Sequence, residues 1–426
     1  MPSRKDTRAE IIGARIKQAR HVRKMSQRDL ADRVGVSAQA ISFYERGVHK
    51  PGPEVMSTLV AALDIRLDRL LRPIRVASIE PKFRKHRSLT VKALNAIQAG
   101  AIDWLERYLT IERILFDEPK TTQWPDWRPY EVSQISDAED AAYALRGAWG
   151  MGAHAIGNLT HILEDRFIKV GALPADPEFD ACTFEVDIDG TMPVIVMGLH
   201  EQNMLKGSRQ RFSLAHELGH LVTVCVSPLG PEDAEKVANR FAAALLAPRD
   251  VAVRELGERR DHIEWRELHA LKHKYGLNMA AWLHRAWDLG IITQALHRRM
   301  VGQYSNHLLP DKSEPWEQYE RETPERFERL VYQAYAEEII GDGRASELLG
   351  MSRVAFRRSM GRGEYRECGS AGSGRADYAV RHGGPIPRVS SGGHVRSSPR
   401  GHGGVYAGEE AGLYATHRRQ SASTDR

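Results

Sequence analysis

The chain has 426 residues, of which 42% are hydrophobic and 27% charged, with a net charge of +5. That composition is ordinary for a soluble globular protein, and the length allows about three domains at roughly 150 residues each. The first residues, Met1 to Asp6, lack an apolar stretch and no run of about 18 apolar residues occurs, so neither a secretory leader nor a membrane span is predicted and the expected location is the cytoplasm.

Positive charge concentrates at the amino-terminal end. Residues 1–73 hold fifteen Lys and Arg against eight Asp and Glu, an excess larger than that of the whole chain and suited to phosphate binding. From Glu10 to Leu71 the pattern is one of short helices with tight turns. Ile11, Ile12, Ile16 and Ala19 make a helical stripe; Ser26 and Ser37 can each cap a helix, and Gly35 permits the turn between them. Leu30, Ala31, Val34, Val36 and Ile41 supply the apolar contact surface, which completes a helix-turn-helix pattern.

With Tyr44-Glu45-Arg46-Gly47, Leu59, Ala62-Leu63 and Leu70-Leu71, residues 10–72 resemble the XRE family of lambda-repressor-like DNA-binding domains. The resemblance implies a recognition helix whose early residues enter the major groove of double-stranded DNA. Ala38, Gln39, Ser42 and Phe43 would then face bases, with Gln39 able to bond adenine in bidentate fashion, while Gln27 and Arg46 would meet phosphates. Such domains commonly bind two half-sites as dimers, so a homodimer is expected. The alternative is a protein-interaction domain on which Gln39 and Ser42 are merely solvated.

Residues 74–138 are mixed. From Ser88 to Leu115 the pattern is helical, with Ala93, Ile97, Ile102, Leu105 and Leu109 on one side. Pairing of two copies and connection of domains both remain open for it. Thr121 to Pro129 reads as irregular.

The stretch Thr183 to Met197 alternates, turns at Asp189-Gly190 and then runs apolar, which predicts a hairpin. One of its strands would either hold extended substrate by backbone pairing or simply cover the core.

Next comes His216-Glu217-Leu218-Gly219-His220. On a helix the two imidazoles lie one turn apart on the same face and can bind one metal ion, while Glu217 beside them can take a proton from water. Phe212, Leu214, Ala215, Leu218, Leu221 and Val222 suit burial, and Gly219 leaves room for a close neighbour. A catalytic zinc takes a third protein ligand. Glu232, Asp233 and Glu235 all sit near the start of a helix that runs from Pro231 to Pro248, where the helix dipole alone would also favour acids.

His216-Glu217-Leu218-Gly219-His220 followed by Glu235-Lys236-Val237-Ala238-Asn239-Arg240-Phe241 and Leu245-Leu246-Ala247-Pro248 resembles the ImmA/IrrE metallopeptidase family. The likeness extends over roughly residues 139–293, departing at Ala247 and Asn278. It implies an α+β zincin-like domain, zinc held by His216, His220 and Glu235, and Glu217 as the catalytic base. His200 and Arg211 are candidates to stabilise an oxyanion, and neither is assigned. Cys182, Cys225 and Cys368 are too few and scattered for a disulfide framework or a thiolate zinc site.

After residue 310 a helical segment leads to Arg344 to Arg357, a short helix, a Gly turn and a second helix. It resembles small terminal helix pairs attached to ImmA/IrrE proteins; a packed cap is the favoured reading and a second DNA contact the other. Beyond Gly361 the composition shifts to Gly, Ser and Arg, which predicts disorder.

The expected architecture is thus mainly α with a small β-sheet. It comprises a helix-turn-helix domain (1–73), a helical linker (74–138), a metallopeptidase domain (139–295), a helical segment (296–360) and a tail (361–426). The expected function is a DNA-binding regulator with a zinc endopeptidase that cleaves a repressor or another regulatory protein. The alternatives are a non-proteolytic transcription factor that senses a ligand or metal, and an antitoxin-like DNA-binding module.

Overall fold

The computed structural model describes residues 7–76, 79, 89–116, 130–188, 190–199, 207–304, 314, 316 and 318–362. Ser88, the irregular stretch 121–129, Asp189, His200 and residues 363–426 of the tail lie outside them. The described chain is mainly helical with two small sheets.

Five short helices come first: α1 (Thr7–Val22), α2 (Gln27–Val34), α3 (Ala38–Glu45), α4 (Pro53–Leu63) and α5 (Leu67–Leu71). Ser26 Oγ accepts the Asp29 amide at 3.1 Å while the Asp29 carboxylate accepts the Ser26 amide at 2.7 Å, a reciprocal cap. Ser37 caps α3 in one direction only, its Oγ accepting the Ala40 amide at 3.1 Å. Between them Gly35 takes φ 76°, a left-handed turn that costs glycine little. Ile12, Ile16, Leu30, Ala31, Ile41, Leu59 and Leu63 form a closed core.

Helix α6 (Val91–Phe116) buries Ala93, Ile97, Leu105 and Leu109 as the periodicity requires, with Ile102 half-buried. Trp104, Tyr108 and Ile111 are buried as well. The helix therefore connects elements of one chain: it packs against α1, against a strand of the larger sheet and against a helix near the carboxyl end. At the first of these junctions the Glu106 carboxylate receives the Arg15 guanidinium and the amides of Arg75 and Val76.

Strand β1 (Tyr130–Val132) precedes α7 (Asp137–Ala148) and α8 (Leu159–Asp165). Strands β2 (Lys169–Pro174), β3 (Ala181–Asp187) and β4 (Thr191–Leu199) form a sheet of order β2-β4-β3. β2 runs parallel to β4, and β3 and β4 make the expected hairpin, antiparallel from Ala181↔Met197 to Asp187↔Thr191. One face of this sheet sends Ala181, Ile195 and Met197 into a core shared with helix α9 (Gly207–Val222). The other sends Cys182, Phe184, Val194 and Val196 into a core shared with α6.

After α9, β5 (Thr223–Cys225) pairs in parallel with β1. Then follow α10 (Ala234–Leu246), α11 (Arg249–Leu256), α12 (Trp265–Tyr275), α13 (Met279–Asp288) and α14 (Gln294–Gln303). Three further helices, α15 (Arg326–Ala336), α16 (Asp342–Leu349) and α17 (Arg353–Arg362), close the described chain, with α15 packed on α6. No helix among the described residues is long and apolar enough to cross a membrane.

Candidate metal centre and nucleic-acid surface

Two packed helices carry the candidate metal ligands. His216 and His220 lie one turn apart on α9, and Glu235 lies in the first turn of α10. The helices approach closely because Gly219 faces α10: a Cβ there would stand 3.1 Å from Phe241 Cδ1 and 3.2 Å from Ala238 Cα.

His216 Nε2 and His220 Nε2 are 3.1 Å apart, and each lies 3.4 Å from a different oxygen of Glu235. Ligands on a tetrahedral zinc with bonds near 2.1 Å would be separated by about 3.4 Å, and with one ligand atom taken from each residue all three donors lie within 4.8 Å of one another. The two imidazoles hold the Glu235 carboxyl far below the ordinary carboxylate range, against the opposing effect of burial. His216 Nδ1 meets Asn239 Oδ1 at 3.0 Å. With Nδ1 donating its proton to that oxygen, the Nε2 lone pair is left to face the cluster. The donor set therefore fits a zinc ion.

His216 and Glu217 are each only 2% exposed, whereas the Glu235 side chain is 39% exposed, so the cluster opens on the α10 side. Strand β3 packs on α9. On that strand burial, and then the charge of Glu217, push the Cys182 thiol well above its ordinary value.

Around the cluster, buried cations fix the helices. Arg146, fully within the core, donates to the carbonyls of Gly152, His154 and Leu245, tying α7 to the end of α10; burial, and then Arg211, push it down to about 10. Arg285 joins α13 to Glu139 on α7 and to the Ala247 carbonyl. Arg211 pairs with Glu322 and donates to Tyr319 Oη and the carbonyls of Ile156 and Gly157. Its guanidinium is thus committed to holding α9 in place.

On α3, Ala38 and Gln39 are exposed, as is Arg46 just past the helix end, and Ser42 and Phe43 are half-buried beside them. The Arg46 guanidinium lies 5.1 Å over the Phe43 ring. Gln27 differs: its amide donates to Glu45 at 2.8 Å, joining a buried ion pair between Glu45 and Arg20. That side chain is drawn inward. Asn239 was assigned no role from sequence; its place one helical turn after Glu235 is the signal that would have found it.

A DNA-binding head joined to a metallopeptidase-like domain is the class these two sites define. The helix-turn-helix family model matches residues 16–70, and the IrrE N-terminal-like domain model matches residues 196–286. The chain is thus a fusion of an XRE-type helix-turn-helix with an IrrE/ImmA-like domain. No curated protein matches it.

Proposed function

We propose that this protein is a DNA-binding regulator whose second domain is a zinc-dependent endopeptidase acting on a repressor or another regulatory protein. The observation that carries the reading is the convergence of His216, His220 and Glu235, whose ligand atoms lie within 4.8 Å of one another, with Glu217 on the same helix as the two histidines. In this reading residues 1–73 bind double-stranded DNA as a homodimer in the cytoplasm, residues 139–295 form the peptidase, and 74–138 and 296–360 brace the two. Ala38, Gln39, Ser42 and Phe43 face bases and Arg46 a phosphate. Gln27 then acts on DNA mainly by bracing Glu45.

Zinc, when bound, supplies Lewis-acid chemistry, acidifying water and polarising the scissile carbonyl. His216, His220 and Glu235 hold it, and Asn239 orients His216. Glu217 takes a proton from the attacking water and passes it to the leaving amine. Among the described residues β3 has a strand neighbour on one side alone, β4. Its other edge, beside α9, suits an extended substrate chain by backbone pairing.

Incubating the zinc-loaded protein with candidate repressors and with its own unfolded chain tests the proposal. Glu217→Gln should retain zinc and lose at least about a hundredfold in cleavage rate, the scale of general-base catalysis. Equal cleavage by both proteins removes Glu217 as the base. The burial of Glu217 favours a second reading, a metal-sensing regulator without turnover. Under it zinc changes DNA affinity, and neither protein cleaves.

A further inference from the structure

Helices α16 and α17 repeat the local geometry of the amino-terminal helix-turn-helix, position by position. α2 and α16 each have 8 residues and each ends on a left-handed glycine, Gly35 at φ 76° and Gly350 at φ 69°. One apolar residue follows. The Val36 amide returns to the Ala31 carbonyl at 3.1 Å, and the Met351 amide returns to the Ser346 carbonyl at 2.9 Å. A serine comes next in both, and the hydroxyls of Ser37 and Ser352 accept the amides of Ala40 and Ala355, each at 3.1 Å. Four residues past each serine, Ile41 and Phe356 point into a core at 0% exposure. All these pairs share one sequence offset, as do the buried residues Leu30 and Ala31 with Ala345 and Ser346.

A helix pair that only capped the fold would need the inner face alone. The outer face of α17 is distinctive. At the positions equivalent to Ala38, Gln39, Ser42 and Phe43 stand Arg353, Val354, Arg357 and Arg358, and all four are exposed. Val354 is 68% exposed, and α17 contains no acidic residue. Arg357 reaches back to Asp342 and the Arg353 guanidinium lies against Gly343 of α16, while Arg353 and Arg358 both remain exposed to a ligand.

We propose that α17 is a second recognition helix, which enters the major groove of duplex DNA with Arg353 and Arg358 on phosphates or guanines and Val354 against a thymine methyl. Charge complementarity selects the polyanion, and the helix-turn-helix geometry selects a groove wide enough to admit a helix. The assignment goes beyond the amino-terminal head, since the matching helix-turn-helix model ends at residue 70. Arg72, just past α5, pairs with Glu347 of α16, and Arg107 of α6 donates to the Leu348 carbonyl, so both units rest on shared elements of one chain.

The test uses the full chain and a mixed-sequence pool of DNA duplexes, with affinity measured across a range of salt. Three variants are compared with the wild type: Arg353→Glu with Arg358→Glu, the same two positions changed to Lys, and Gln39→Ala with Ser42→Ala. The Glu pair should lose at least about tenfold in affinity, and the slope of log affinity on log salt should shrink by about 2, as expected for two lost phosphate contacts. The Lys pair should restore that slope, which a merely structural defect would not allow. Equal affinity and slope in the wild type and the Glu pair, including the case in which neither binds, overturns the proposal. Failure of the amino-terminal reading shows separately, as an unchanged sequence preference in the Gln39/Ser42 variant.

Discussion

Asn239 shows how one side chain sets what another can do. By receiving the His216 Nδ1 proton it decides which imidazole nitrogen faces the cluster. Asn239→Ala should therefore weaken zinc binding by about 10- to 100-fold, the range for outer partners of metal ligands, as read by competition with a chelator. Glu164 presents a different case. It is 4% exposed, and burial pushes its carboxyl up to about 7 even though the amides of Glu325 and Arg326 bond to it. A carboxyl whose folded pKa is raised favours the fold while protonated. Its contribution is complete below the ordinary value of 4.5 and is lost as pH rises through about 7. Urea melts across that window should show a fall in stability that Glu164→Gln reduces; identical falls would place the titration elsewhere.

Between elements, the contact of α9 with α10 sets the spacing of the cluster, and Gly219 sets the contact. Changing it to Ala would gain about 1 kcal/mol of helix propensity and incur about 1–3 kcal/mol of overpacking against Phe241 and Ala238. Gly219→Ala should therefore lower the melting temperature and weaken zinc binding together. A more stable variant with full zinc affinity would show that α10 yields without strain.

The same scale shows why some elements were legible in the sequence and others were not. Ser26, Ser37 and Gly35 specify caps and a turn through local backbone chemistry, and the i, i+4 spacing of His216 and His220 specifies a shared helix face. Both are encoded within a few residues. The fate of α6 was open because an apolar stripe carries no label for its partner; α1, β2 and α15 fill that place. Arg211 could not be separated from a catalytic role because its carboxylate partner, Glu322, lies far along the chain. The helix, Gly turn and helix of α16–α17 were legible from Gly350 and Ser352, but the match with α2–α3 in hydrogen bonds and burial was not, since outside the turn most residues at matching positions differ, Ala40 and Ala355 excepted.

Across the whole chain, ion pairs link distant segments: Arg15 with Glu106, Arg72 with Glu347, Lys169 with Glu112. Glu106→Ala would leave Arg15, which is 6% exposed, without its carboxylate. Loss of one partner from a buried pair costs about 3–5 kcal/mol. The variant should unfold at clearly lower denaturant than the wild type. Equal midpoints would show that the backbone carbonyls of Arg72 and Pro73, which also receive Arg15, hold the junction alone.

The pairing of Arg211 with Glu322 also bears on the order of folding during synthesis. Chains emerge from the ribosome amino end first, and domains fold largely as units in that order. The five-helix head has its own core and gains the carboxylate partner of its buried Arg15 once Glu106 on α6 is made. The helix bearing His216 and His220, by contrast, holds a buried guanidinium that gains its carboxylate only when residue 322 is made. The amino-terminal helices can thus gain their buried carboxylate partner while the helix that carries His216 and His220 still lacks its own.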